Sequence, residues 1–158
     1  MASALQNLSN YDVEKVPNGN GKSFGIVTAE WNKDITFELL RGCIDTLKLH
    51  GVQEEDIHLS FVPGTFELPY AAKALAKQQH LSSVICLGCV IKGETDHDVY
   101  INTSVANALQ QLNLSFDIPF IFGVLTPNNE QQAIDRAGGK HGNKGVEAAI
   151  TALKMSTI

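Results

Sequence analysis

The run Gly88-Cys89-Val90-Ile91-Lys92-Gly93-Glu94-Thr95 has the spacing of a phosphate loop, G-x-x-x-x-G-K-[ST], with Glu94 where that loop needs lysine. A carboxylate there argues against a nucleoside triphosphate enzyme. What survives is a Gly-led turn into a helix, whose free backbone N–H groups favour an anion. Glu94 is compatible with an anion if only its N–H faces inward. His97, two residues beyond Thr95, is a candidate for proton transfer near neutral pH. Arg136 and Lys144 are singly most often solvated charges, and together with an N–H loop they are candidates to complete a phosphate site. Glu67 is a candidate acceptor for ligand hydroxyls. Trp31, Phe66 and Phe122 either fill the core or form a stacking slot for a flat ring.

Other constellations carry less. Cys86 and Cys89 form a C-x-x-C, but a redox pair needs a turn or helix start to bring its sulfurs together. Here the spacing lies in or beside a strand, where odd offsets point to opposite faces, so two packed thiols are expected. The five histidines (50, 58, 80, 97 and 141) lack metal-ligand spacing, and no metal is expected.

The elements that must position these residues alternate along the chain. FGIVTA (24–29) reads as a strand. Ile35, Leu39, Cys43 and Leu47 line one helical face, with Asn32 or Asp34 as its cap and Gly51 as its stop. Alternating Ile57, Leu59 and Phe61 mark a strand over 56–62. A helix with Pro69 near its start follows over 66–79. The continuous apolar run 83–91 suits a doubly buried parallel strand. A helix over 99–112, a strand over 118–125 and helices over about 129–137 and 145–155 complete the order, the last two joined by the Gly-rich segment 138–145. Strands separated by helices imply parallel pairing and a three-layer α/β sandwich around a four-stranded sheet. Ligands of such sheets bind beyond the carboxyl ends of the strands. Three of the four strand ends offer an aromatic, and the third offers Gly-Glu-Thr-Asp-His.

Length and composition agree with one domain. The chain has 158 residues, 44% apolar and 18% charged, with a net charge of −5. An acidic chain argues against nucleic acid as main partner. No apolar run of about 18 residues predicts a membrane span. The N-terminus lacks the pattern of a signal peptide, and three cysteines do not make a disulfide framework, so an intracellular, cytoplasmic protein is expected. Residues 1–22 are polar and turn-rich and read as an N-terminal arm, mobile or docked on a partner, preceding a domain over 23–158.

Four motifs in collinear order carry a resemblance: PGTFELP (63–69), GCVIKGETDH (88–97), FGVLTPNNEQQAIDRAG (122–138) and GNKGVEAA (142–149). Over about residues 24–155 the chain closely resembles the lumazine synthase family. The resemblance implies a flavodoxin-like sheet and condensation of 5-amino-6-(D-ribitylamino)uracil with 3,4-dihydroxy-2-butanone 4-phosphate, releasing phosphate and water. The product is 6,7-dimethyl-8-ribityllumazine, formed in the penultimate step of riboflavin biosynthesis. It implies no cofactor, and homopentamers with active sites between neighbours. The linker 138–145 has no insertion, which in the family suits pentamers as well as sixty-subunit capsids, with riboflavin synthase a potential partner.

The resemblance also assigns roles. Trp31, with Asn32 beside it, stacks on the pyrimidine. Thr65, Phe66 and Glu67 hold the ribityl chain, and the backbone of Cys89, Val90 and Ile91 reads the uracil edge. Glu94 and Thr95 form the phosphate loop and His97 transfers protons. Phe122 and Arg136 reach in from the adjacent subunit to stack and to bind phosphate, with Lys144 on the neighbouring helix. The family usually continues its histidine with an aromatic, an acid and tyrosine. Here the run is Asp98-Val99-Tyr100, which keeps the tyrosine and loses the aromatic. Two rivals are a non-catalytic flavin or lumazine binder and a purely structural shell protein. The retained Thr95, His97 and Arg136 argue against both.

Overall fold

The computed structural model describes residues 7–158. Its main sheet holds β1 (Phe24–Ala29), β2 (Ile57–Val62), β3 (Ser83–Cys89) and β4 (Phe120–Leu125), all parallel, in the order β2-β1-β3-β4. The helices are α1 (Lys33–Leu49), α2 (Leu68–Gln78), α3 (His97–Ser115), α4 (Glu130–Ile134) and α5 (Lys144–Met155). Strand alternation sorts the core into two layers. Phe24, Ile26, Ile85, Leu87 and Ile121 face α1 and α5, meeting Leu39, Cys43, Leu47, Ala149 and Leu153. Val27, Val84, Cys86, Phe120 and Val124 face α2 and α3, meeting Leu68, Ala72, Val105 and Leu109. The chain thus forms the expected α/β three-layer, flavodoxin-like sandwich. Cys86 and Cys89 fall in opposite layers, as their odd spacing predicts.

Three details differ from the sequence reading. The third helix starts at His97 rather than Val99 and runs on to Ser115. Asp96 takes the cap position and Asp98 sits in the first turn, where an acid suits the helix dipole. The helix over 129–137 stops at Ile134, because the chain turns into a small antiparallel ribbon, β5 (Ala137–Gly139) with β6 (Gly142–Asn143). That ribbon replaces the expected plain linker. The second helix begins at Leu68, after a short 3-10 turn over Thr65–Glu67.

Of the arm expected over 1–22, residues 1–6 lie outside the described residues. The rest touches the domain at several points. Leu8 N–H donates to His141 O at 2.7 Å, and Gly19 N–H to His50 O at 2.8 Å. Lys22 Nζ donates to Ser156 O at 2.8 Å.

Asn143 ties α1 to α5. Its Oδ1 accepts from Gly145 N–H at 2.7 Å, capping α5, and its Nδ2 donates to Glu38 O of α1 at 2.9 Å. The two helices approach so closely that a Cβ on Gly145 would collide with the Leu39 carbonyl oxygen. Gly145→Ala is therefore expected to destabilise the fold. Overpacking costs about 1–3 kcal/mol, and here the obstacle is backbone, which outweighs the gain of about 1 kcal/mol from alanine as a helix former. Denaturant unfolding measures it; an unchanged or raised midpoint would show slack between α1 and α5.

Candidate active site

The strand order reverses between β1 and β3. β1 leads through α1 to β2 on one side, and β3 leads through α3 to β4 on the other. A crevice therefore opens beyond the carboxyl ends of β1 and β3, the usual ligand position in open α/β sheets. The backbone ladders sharpen it. On one side Glu30 N–H donates to Val62 O at 2.8 Å and Trp31 N–H to Pro63 O at 3.1 Å, carrying the β1–β2 pairing past the strands. On the other, Val90 N–H donates to Leu125 O at 2.9 Å and Lys92 N–H to Pro127 O at 3.0 Å, carrying β3–β4 onward. Between them, the β1–β3 register ends at Thr28 and Leu87.

Asn32 spans this gap. It holds a left-handed backbone, φ 56° and ψ 48°, which asparagine tolerates better than most residues. Its Nδ2 donates to Cys89 O at 2.9 Å. Asn32 occupies the N-cap position of α1 but makes no side-chain cap bond, since its amide crosses the crevice instead.

A cavity of about 580 Å³ fills the crevice. It is lined by Trp31 and Asn32 after β1, Pro63 to Glu67 after β2, Cys89 to Ile91 at the end of β3, and Gly93, Thr95, His97, Asp98 and Ile101 around the start of α3. Its volume falls in the range of small-molecule sites. Trp31 is 72% exposed and Phe66 58% exposed, so neither ring fills the core. Thr65, by contrast, is buried and packs over β3 at Gly88, where an added Cβ would lie 2.7 Å from Thr65 Oγ1. That close approach fixes the turn presenting Phe66 and Glu67. Cys89, at the cavity end of β3, is packed in the core layer, and burial pushes its thiol up to about 12, so it stays neutral at ordinary pH.

Four residues singled out in the sequence do not line the cavity. The Glu94 side chain is exposed in the loop before α3. Phe122 stands on the edge strand β4, opposite Cys86 and 36% exposed. Arg136 follows α4 and donates from a guanidinium nitrogen to Gln132 O at 3.1 Å. Lys144 opens α5 with its Nζ 3.0 Å from Glu147 Oε1. Arg136 and Lys144 are neighbours through backbone, Lys144 N–H donating to Arg136 O at 2.9 Å. Beside them, the Gln131 amide, bonded at 3.0 Å, holds the Asp135 carboxyl below its usual range, and Lys140 Nζ at 3.2 Å adds to this.

Asp98 and Ile101 line the cavity although neither was assigned to the site from the sequence, where Asp98 stood only as a departure from the family's pattern. The available signal was helical spacing. Asp98, Ile101, Val105 and Leu109 recur at intervals of three or four, and the last two are core. A helix begun at Val99 leaves Asp98 outside that stripe.

Trp31 is the only tryptophan. Its exposure predicts that Trp31→Ala leaves thermal stability nearly unchanged, because the ring is not packed in the core. If the ring stacks on a bound heterocycle, riboflavin should quench its emission in proportion to occupancy. Trp31→Phe should keep most of the binding, and Trp31→Ala should lose about 1–2 kcal/mol. A large drop in melting temperature, with emission unmoved by saturating riboflavin, would remove Trp31 from the site.

Comparison with known proteins fits this geometry. The family model for 6,7-dimethyl-8-ribityllumazine synthase matches residues 21–158. A 6,7-dimethyl-8-ribityllumazine synthase of Parabacteroides distasonis is 54% identical over 155 residues, covering 98% of this chain and 97% of its own. One of Porphyromonas gingivalis is 53% identical over 158 residues, covering 100% of this chain and 98% of its own. A third, of Cytophaga hutchinsonii, is 54% identical, covering 98% of this chain and 97% of its own. The crevice, the residues around it and this similarity along the whole chain converge: the chain belongs to the 6,7-dimethyl-8-ribityllumazine synthase family.

Proposed function

We propose that the chain condenses 5-amino-6-(D-ribitylamino)uracil with 3,4-dihydroxy-2-butanone 4-phosphate to give 6,7-dimethyl-8-ribityllumazine, phosphate and water. The observation that carries this reading is the strand-end cavity. It gathers an exposed Trp31, the Thr65–Glu67 turn, the Cys89–Ile91 edge, Thr95 and His97 around one space.

The chemistry asks for little beyond placement. The uracil's amine is already a nucleophile and the ketone already an electrophile. Holding the two in contact removes much of the entropic barrier. In this reading Trp31 covers one face of the pyrimidine and the main chain of Cys89, Val90 and Ile91 meets its edge. Asn32 keeps the two strand ends at the right separation. Glu67 accepts from ribityl hydroxyls. Thr95 and the N–H of Glu94 hold the phosphate ahead of α3, where helix N–H groups favour an anion. His97 takes and returns protons during imine formation and elimination of phosphate.

Charge supports an interfacial site. Among the residues lining the cavity, Glu67 and Asp98 are acidic, and none is lysine or arginine. A phosphate dianion there needs a cation from elsewhere. Arg136, with part of its guanidinium anchored on Gln132 O, is the assigned source, acting with Phe122 from an adjacent copy in a homopentamer. Lys144, paired with Glu147, lies beside it. The same reading takes residues 1–22 as an arm and 23–158 as the catalytic domain, in agreement with a family match starting at residue 21. It also takes the protein as cytoplasmic. No described helix is long and apolar enough to cross a membrane.

The test is incubation of the purified protein with both substrates, following lumazine absorbance and inorganic phosphate together. Equal amounts of the two products are expected. Lumazine binding without turnover would favour the non-catalytic binder. His97→Ala should keep binding both substrates and lose turnover by a factor within about 10²–10⁴, since solvent replaces part of one positioned proton carrier. A variant turning over at the parent rate would take that role from His97.

A further inference from the structure

Asp98 presents an unusual combination. It lines the active-site cavity, and its Oδ1 is buried with no hydrogen-bond partner among the described residues. A buried acceptor left unpaired costs free energy in the unliganded protein, and such groups in folded proteins call for an explanation. Its place in the helix narrows the choice. Asp98 heads the inward stripe of α3 that continues through Ile101, Val105 and Leu109 into the core, so the carboxylate faces the protein body at the cavity wall. α3 packs against the Thr65–Glu67 turn, which carries the other carboxylate of the cavity.

We propose that Asp98 is a substrate-binding residue that accepts a hydrogen bond from a hydroxyl of the ribityl chain, forming with Glu67 a two-carboxylate cradle for the polyol. A carboxylate is acceptor-only, so it demands a donor. The polyol supplies donors along its length, whereas a phosphate dianion supplies none and is repelled. Asp98 thereby also favours placing the phosphate towards Thr95 and away from itself. The inference rests on the reading that this cavity holds the ribityl-bearing substrate.

The test compares riboflavin, a flat ring with a ribityl chain, and lumichrome, a related ring without one, by quenching of Trp31 emission in the assembled protein. The parent should bind riboflavin more tightly than lumichrome. Asp98→Ala should weaken riboflavin by about 10-fold or more, the usual worth of a hydrogen bond to a charged group, and leave lumichrome within about 2-fold. Asp98→Asn, which keeps an acceptor oxygen, should fall between parent and alanine. When unliganded, both variants should stay folded with melting temperatures close to the parent's, since relief of the unpaired Oδ1 offsets the lost interaction of an acid with the start of α3. A parent with no preference for riboflavin would overturn both the cavity reading and this inference. A parent preference fully retained in Asp98→Ala, or equal losses for both ligands, would overturn the Asp98 assignment alone.

Discussion

One side-chain amide holds the site open at a fixed width. Asn32 donates across the crevice to Cys89 O at 2.9 Å, from a backbone conformation that few side chains accept. The β1–β2 and β3–β4 pairs continue past the sheet as separate ladders, and where they part the backbone of β1 and β3 no longer pair. Without a bridge, the two halves of the cavity wall would be set only by distant packing. With it, Trp31 on one side and the Cys89–Ile91 edge on the other keep a defined separation. Backbone strain at such positions persists where the surroundings over-determine it, commonly at functional sites.

The remaining structure works to keep those strand ends still. The two apolar layers clamp the sheet between α1 with α5 and α2 with α3. Asn143 and the close approach at Gly145 lock α5 onto α1, whose first residues follow Asn32 directly. Gly88 lets Thr65 sit against β3, and so sets the turn carrying Phe66 and Glu67. Beside the β5–β6 ribbon, Lys144 N–H at the start of α5 donates to Arg136 O just before β5. Arg136 thus lies outside its own chain's cavity.

Much of this was legible because it rests on periodicity. The runs at 24–29 and 83–91 are apolar since β1 and β3 are buried on both faces, that at 118–125 since β4 is buried but for Phe122, and the four-residue spacing of Ile35, Leu39, Cys43 and Leu47 is the face α1 turns to the sheet. The rule that ligands bind beyond the carboxyl ends of parallel strands then pointed to Trp31, the Thr65–Glu67 turn and His97 together, and all line one cavity. What local sequence hid was the work of polar groups across space. Asn32 looks like an ordinary cap, and nothing in its neighbours says that its amide reaches Cys89. Asp96-His97-Asp98 reads as a loop because three polar residues mask the first turn of α3, and Asp98 was missed with it. The β5–β6 ribbon is made of glycine and polar residues that carry no strand pattern.

The central claim is that the cavity is chemically incomplete in one chain and is finished by Arg136 and Phe122 of another. Subunit mixing addresses it most directly. Inactive Glu67→Ala and inactive Arg136→Ala proteins are dissociated together and reassociated, and lumazine formation is measured on oligomers shown to contain both variants. The account predicts recovered activity, because some interfaces then join an intact cavity to an intact arginine. Proven mixed oligomers with no recovery would contradict it and place the whole site within one chain.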